Sequence, residues 1–218
     1  MLEAFAGEYA RAFPKARILA ASKQDLDGDK RRRLLMRIAT EDWDCVILTH
    51  SSLGKIAPSK EAVVEFSESV GDKLEASIRE ADDNNAVREA QRQKKMVTAK
   101  IMTLADTGKK DSGLLSFEKL GVDMLLVDEA DLFKNLWFHT KKTRVSGLSS
   151  ACSGRALDLF LKSRMIYERR GNDGYGLVFA TATPIANTIA EMFIMQTYLQ
   201  PKRLAELEID SFDAWAAT

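Results

Sequence analysis

The sequence predicts an α/β protein built on a parallel sheet with helices on both faces. Three observations predict it. Short apolar runs recur along the chain: Arg17 to Ala21, Cys45 to Thr49, Val122 to Val127 and Leu177 to Ala180. Segments of helical periodicity separate them. The runs lack the polar alternation of a half-exposed strand, so each reads as a strand covered on both faces, the signature of parallel sheets.

The elements follow in order. Leu2, Phe5, Tyr9, Ala12 and Phe13 share one helical face, and Pro14 closes that helix. The first strand follows. Asp29 is the expected cap of a basic helix carrying Arg31, Leu34, Leu35, Met36 and Ile38. The second strand ends in polar His50-Ser51-Ser52. Residues 60–106 are dense in charge and helix formers, and Asp82-Asp83-Asn84-Asn85 interrupts them. They predict an antiparallel helical hairpin with a narrow apolar stripe through Val63, Val64, Phe66, Val70, Leu74 and Ile78. A loop from Thr107, a short helix at Phe117–Leu120 and a strand ending at Asp128 come next. Then follow a polar loop over Thr140–Ser150, a strong helix around Ala156–Ile166 and a turn at Gly171–Gly174. A strand ending at Thr181, a helix from about Asn187 to Leu199 and short helical pieces to Trp215 complete the chain.

Composition narrows the class. The 218 residues, 45% hydrophobic and 29% charged, suffice for one globular domain, or one domain plus an insertion. Lysine plus arginine equals aspartate plus glutamate at 32 each, so no global charge draws the chain to nucleic acid. Phosphate contacts must come from local patches. No apolar stretch approaches the ~18 residues of a membrane span, and the acidic start MLEAFAGEYARAF is not a secretory signal. Cys45 and Cys152, with His50 and His139, make no metal-ligand spacing. A reducing, cytoplasmic setting without membrane contact is expected.

Ligands of open parallel sheets bind beyond the carboxyl ends of strands. Asp128, Glu129, Thr181 and Thr183 are expected there. Asp128 is placed to hold Mg2+ through water, and Glu129 to orient or deprotonate an attacking water. An Asp-Glu pair after one apolar run is often only a solvated turn, and Thr181-Ala182-Thr183-Pro184 alone could be a plain strand-to-helix turn. Two such endings, in this order, point to a nucleoside-triphosphate motor.

These stretches resemble the first RecA-like lobe of superfamily 2 helicases and translocases of the Swi/Snf-like branch. Asp128-Glu129-Ala130-Asp131-Leu132-Phe133-Lys134-Asn135 resembles motif II, and Thr181-Ala182-Thr183-Pro184-Ile185-Ala186-Asn187, with Glu191 and Tyr198-Leu199-Gln200-Pro201 behind it, resembles motif III. Trp43 to Ser52 resembles motif Ib, and Phe5 to Ala21 the surroundings of motif Ia. Ile38-Ala39-Thr40, His50 to Ile56, Phe117 to Asp123 and Ser211 to Ala216 further resemble the helicase part of large proteins of conjugative elements and phages, often fused to an adenine-specific DNA methyltransferase. The resemblance spans the chain, making residues 1–218 one lobe with 60–106 inserted. It implies ATP and Mg2+ as cofactors and DNA, in duplex form, as partner. It implies coupling roles for Asp131, Thr181 and Thr183, and backbone contacts at Thr49, His50 and Ser51. Lys141, Lys142 and Arg144 could add phosphate contacts, or form a solvated loop. Asp131 stands where close relatives often have histidine, and Ala182 where many have glycine.

A phosphate-cradling G-x-x-x-x-G-K-[ST] loop occurs nowhere in the sequence. Gly54-Lys55 and Gly108-Lys109 have threonine where the first glycine belongs and no Ser or Thr after the lysine. In the relatives that loop lies upstream and a second lobe with an arginine finger downstream, so the sequence reads as an internal piece of a longer motor, with negligible ATP hydrolysis of its own. The rivals are a non-catalytic docking module derived from such a lobe, and a metal hydrolase without a phosphate loop, for which supporting histidines are lacking. For the hairpin the simplest reading is a solvated spur, with a partner-docking or DNA-guiding arm as the alternative.

Overall fold

The computed structural model describes residues 2–79, 84–109, 115–138, 140, 153–171 and 175–218. Helix α1 (Leu2–Ala12) ends before Pro14 as expected. Its apolar face is open, with Phe5 49% exposed and, just past its end, Phe13 56% exposed and tilted against Tyr9 at 4.9 Å. Strands β1 (Ile18–Ala21) and β2 (Cys45–Leu48) pair in parallel, Ile18 opposite Cys45 and Ala21 opposite Leu48. Helix α2 (Gly28–Thr40) joins them as a βαβ crossover. It buries Leu34, Leu35 and Ile38 against Leu19, Ala21, Phe117 and Leu120. Its N-cap position is Asp27 rather than the expected Asp29, which sits in the first turn. The Asp27 side chain makes no cap bond, because Lys55 pairs with it.

A short helix α3 (His50–Leu53) follows β2. Helices α4 (Lys60–Arg79) and α5 (Asn84–Lys109) then form the hairpin, cross-linked by a Lys94–Glu75 ion pair. The predicted stripe closes between them, with Val63 and Leu74 at 0% exposure on α4 and Val97 and Ile101 at 0% on α5. The root does more than seal itself. Val63, Val97 and Ile101 belong to the main core cluster with Val127, Ala130, Phe133 and Tyr198. At its root, then, the hairpin is no solvated spur.

Strands β3 (Leu125–Val127) and β4 (Leu177–Phe179) pair in parallel, Leu125 opposite Leu177 and Val127 opposite Phe179. Gly176, the residue before β4, has φ +109, and a Cβ there would meet Ile166 at 2.6 Å, so only glycine fits. Helix α6 (Gly154–Arg169), capped by Ser153, is the central helix. It gives Leu157, Leu159 and Leu161 to the main core and Ile166 to the cluster under β1 and β2. Helices α7 (Ala190–Leu199), α8 (Pro201–Glu206) and α9 (Phe212–Trp215) close the chain around Phe193, Leu204 and Phe212.

The architecture is mixed α/β with parallel strand pairing, and it departs from one continuous sheet. Among the described residues β1–β2 and β3–β4 are separate two-stranded sheets. Nor is the second pair covered on both faces. Leu126 and Val178 are register partners, 68% and 45% exposed, because alternation turns them away from the core that receives Leu125, Val127, Leu177 and Phe179. The strands also stop earlier than predicted, at Val127 and Phe179, and α7 starts at Ala190 rather than about Asn187.

Candidate functional site

The site begins where β3 and β4 end. Ladder bonds continue past both strands, from the Ala180 amide to the Val127 carbonyl at 2.9 Å and from the Ala130 amide to the Ala180 carbonyl at 3.0 Å. They bring residues 128–131 and 180–183 to one rim of a parallel pair. The chain turns at Glu129, whose φ of 50° and ψ of 47° are left-handed. For a side chain with a Cβ this geometry costs about 1 kcal/mol or more. It ends the strand and starts the 3₁₀ turn Ala130–Phe133, whose Ala130 and Phe133 are buried. Asp128 and Glu129 are left exposed at the rim, with the Glu129 amide donating to Asp128 Oδ1 at 3.0 Å.

Across the rim the Thr181 hydroxyl donates to Asp131 Oδ1 at 3.0 Å and accepts from the Thr183 amide at 3.1 Å. Thr181 is half-buried and Thr183 exposed. The acid loop and the hydroxyl loop are thus tied through side chains as well as backbone.

A second tie lies behind this one. Glu191, 7% exposed, accepts from the Ala186 amide at 2.6 Å, the Asn187 amide at 3.1 Å and the Asn187 side chain at 3.1 Å. Its carboxylate also pairs with Lys134 at 3.3 Å. Burial pushes the Glu191 carboxyl up, but these hydrogen bonds outweigh it and hold the group below its ordinary value. By capping residues 186 and 187, Glu191 keeps them in a turn, which is why α7 starts late. Tyr198, fully buried, anchors the floor: its hydroxyl donates to the Ala156 carbonyl at 2.7 Å, with the Phe133 carbonyl at 3.4 Å. Its ring meets Phe179 at 5.2 Å and Phe160 at 5.5 Å.

The end of β2 joins the same neighbourhood. His50 sets its ring edge-on to Phe133 at 5.1 Å and 73°, so the loop after β2 packs on the loop after β3. Thr49 is the N-cap of α3: its hydroxyl accepts from the Ser52 amide at 3.1 Å and lies 3.0 Å from the Ser51 hydroxyl. Ser51 is exposed. The turn is held from below by Lys162, wholly buried on α6, whose ammonium donates to the Leu53 carbonyl at 2.8 Å and to Asp158 at 2.6 Å. Burial pulls the Lys162 pKa down and pushes that of Asp158 up, each opposed by its partner. Lys141, Lys142 and Arg144 lie outside the described residues.

The structure therefore brings Asp128, Glu129, Asp131, Thr181 and Thr183 to one rim, with His50 beside them through Phe133. The single-residue reading of the sequence gave no roles to Lys134, Lys162 and Tyr198. Lys162 and Tyr198 carry a faint signal: a charged and a hydroxyl-bearing side chain at core positions of apolar helices.

The class so defined is an α/β domain that gathers acidic and hydroxyl side chains beyond the carboxyl ends of parallel strands, where such folds take ligands. A family model described as a probable helicase domain matches residues 2–218, and the chain belongs to that family. No curated protein and no solved structure matches the chain. Among the described residues no helix is long and apolar enough to cross a membrane.

Proposed function

We propose that this helicase-related chain is the first RecA-like lobe of an ATP-dependent DNA helicase or translocase of the superfamily 2, Swi/Snf-like kind. The observation that carries the reading is the Thr181–Asp131 hydrogen bond across paired parallel strands, which couples the acid loop to the hydroxyl loop. In this reading Asp128 holds Mg2+, Glu129 orients the attacking water, and Asp131, Thr181 and Thr183 pass the state of the site to the rest of the lobe. The donor set fits magnesium. Among the described residues no three His, Cys, Asp or Glu cluster to hold a metal by themselves. Magnesium needs only one or two carboxylates beside water and phosphate oxygens, and exposed Asp128 supplies one. When bound, the ion would neutralise phosphate charge.

Thr49, His50 and Ser51, with Lys141, Lys142 and Arg144, are the proposed contacts to a DNA backbone. A phosphate-loop segment and a second RecA-like lobe complete the motor in this reading, and a fused adenine-specific DNA methyltransferase would go with the resemblance to mobile-element proteins. A cytoplasmic setting goes with it.

The 218 residues contain no phosphate-cradling lysine loop, so the chain alone should turn over ATP negligibly. The test has two arms. Joined to a phosphate-loop segment and a second lobe, the chain should show DNA-stimulated ATPase activity that Asp128→Ala and Glu129→Gln abolish. Activity unaffected by either change overturns the reading. The second reading is a docking module that binds DNA or protein without hydrolysis. It predicts DNA binding indifferent to both substitutions and no turnover in the joined protein.

A further inference from the structure

The hairpin segregates charge. On α4, Glu61, Glu65, Glu68 and Asp72 follow one another at spacings of four, three and four, one stripe of a helix, and all four are exposed. On α5, Arg88, Arg92 and Lys95 do the same at spacings of four and three, and all three are exposed. Each stripe lies opposite the face that closes the hairpin, which carries Val63 and Leu74 on one helix and Ala90, Val97 and Ile101 on the other. No ion pair among the described residues neutralises these seven side chains; the acidic stripe ends, three residues after Asp72, at Glu75, which pairs with Lys94 of α5 and with Arg79. In a chain of zero net charge the hairpin therefore has one acidic edge and one basic edge.

A merely solvated hairpin has no need of this arrangement, since mixed signs at i, i+4 would stabilise each helix better. The basic stripe covers seven residue steps, about 10 Å at 1.5 Å per residue. At about 3.4 Å of axis per phosphate on one strand, that spans roughly three phosphates. The root is fixed. Val63, Val97 and Ile101 share a buried cluster with Ala130 and Phe133 of the acid loop, and Phe66 packs on Phe160 of α6 at 5.8 Å.

We propose that the hairpin is a nucleic-acid arm. Its α5 edge, through Arg88, Arg92 and Lys95, lies along the phosphate backbone of duplex DNA, while the acidic α4 edge repels the same backbone and fixes which side of the arm faces it. The inference deepens the DNA reading above and uses none of the residues assigned there.

The experiment measures binding of a fluorescent duplex oligonucleotide to the 218-residue chain by anisotropy, without nucleotide, across a NaCl series. Arg88→Gln/Arg92→Gln/Lys95→Gln should weaken binding and flatten the slope of log K against log salt by about 2 to 3, at 0.9 per lost phosphate contact. Glu61→Gln/Glu65→Gln/Glu68→Gln should keep the wild-type slope. All six side chains face solvent, so both variants should melt like the wild type. A wild-type slope in the basic variant overturns the arm and leaves DNA binding to the strand-end loops. Equal and opposite slope changes in the two variants also overturn it, reducing the effect to net charge. Absence of binding by the wild-type chain sinks both the arm and the DNA reading.

Discussion

Thr181 and Asp131, fifty residues apart in sequence, meet through a 3.0 Å hydrogen bond at the rim of β3 and β4. The Thr181 hydroxyl is spent on both sides, donating to Asp131 and accepting from Thr183. Thr181→Val keeps the β-branched shape and removes both bonds. It should cost about 1 kcal/mol by chemical denaturation. Asp131→Asn, which retains the acceptor oxygen, should cost less. No loss in Thr181→Val would show that the hydroxyl contributes only bulk.

Glu191 gives stability a pH signature. Its folded-state pKa is held below the ordinary glutamate value, so between the two values the unfolded chain binds more protons and stability falls as pH falls. Glu191→Gln loses the charge-assisted bonds and should cost roughly 2 kcal/mol at neutral pH. The gap between wild type and variant should be full above pH 4.5 and shrink as pH falls through the depressed value. A gap that is constant down to strong acid would show that the carboxylate's charge is irrelevant.

Lys162 and Asp158 form a buried pair at 2.6 Å. Lys162→Met strands the Asp158 carboxylate and frees the Leu53 carbonyl, so a loss of about 3–5 kcal/mol is expected. The double change Lys162→Met/Asp158→Leu should recover much of it, because the uncompensated charge is gone. Denaturant melts of the two variants check this, and a double variant as unstable as the single one refutes it.

Glu129 occupies a left-handed backbone that favours glycine. Glu129→Gly should leave stability unchanged or raise it by up to about 1 kcal/mol, against glycine's usual penalty. In the motor proposed above, joined to its phosphate-loop segment and second lobe, it should abolish turnover. A strained acid retained at the rim is what a working site, rather than a simple turn, would keep. A clear drop in melting temperature would mean that the Glu129 side chain holds the fold.

The hairpin divides into root and tip. Ile101→Ala empties a fully buried site in the main core and should cost about 2–5 kcal/mol. Glu75→Ala, which removes an ion pair whose glutamate is 48% exposed, should leave the melting temperature nearly unchanged. Thermal melts of both variants suffice. Similar losses would show that tip and root fold as one unit.

Much of this was legible because buried parallel strands and amphipathic helices write their period into sequence. Strand pairing, the hairpin, the short helix at Phe117–Leu120 and the meeting of residues 128–131 with 181–183 all follow from it. Element ends were not legible, because side-chain chemistry sets them: the left-handed Glu129 stops β3, and the Glu191 carboxylate delays α7 by holding Ala186 and Asn187. The open face at Leu126 and Val178 was hidden for another reason. An apolar run reads as covered on both sides whether or not the cover lies in the same stretch of chain. The docking of the hairpin root was likewise invisible, since Val97 and Ile101 look like any self-sealing stripe.

The mounting of the hairpin has a mechanical consequence. A helix of 20 residues such as α4 is about 30 Å long, and its inner end shares a packed cluster with Ala130 and Phe133. On a lever of that length a tilt of about 5° at the fulcrum moves the far end by roughly 3 Å. A small tilt at the acid loop would therefore move the outer end of α4 by a far larger distance.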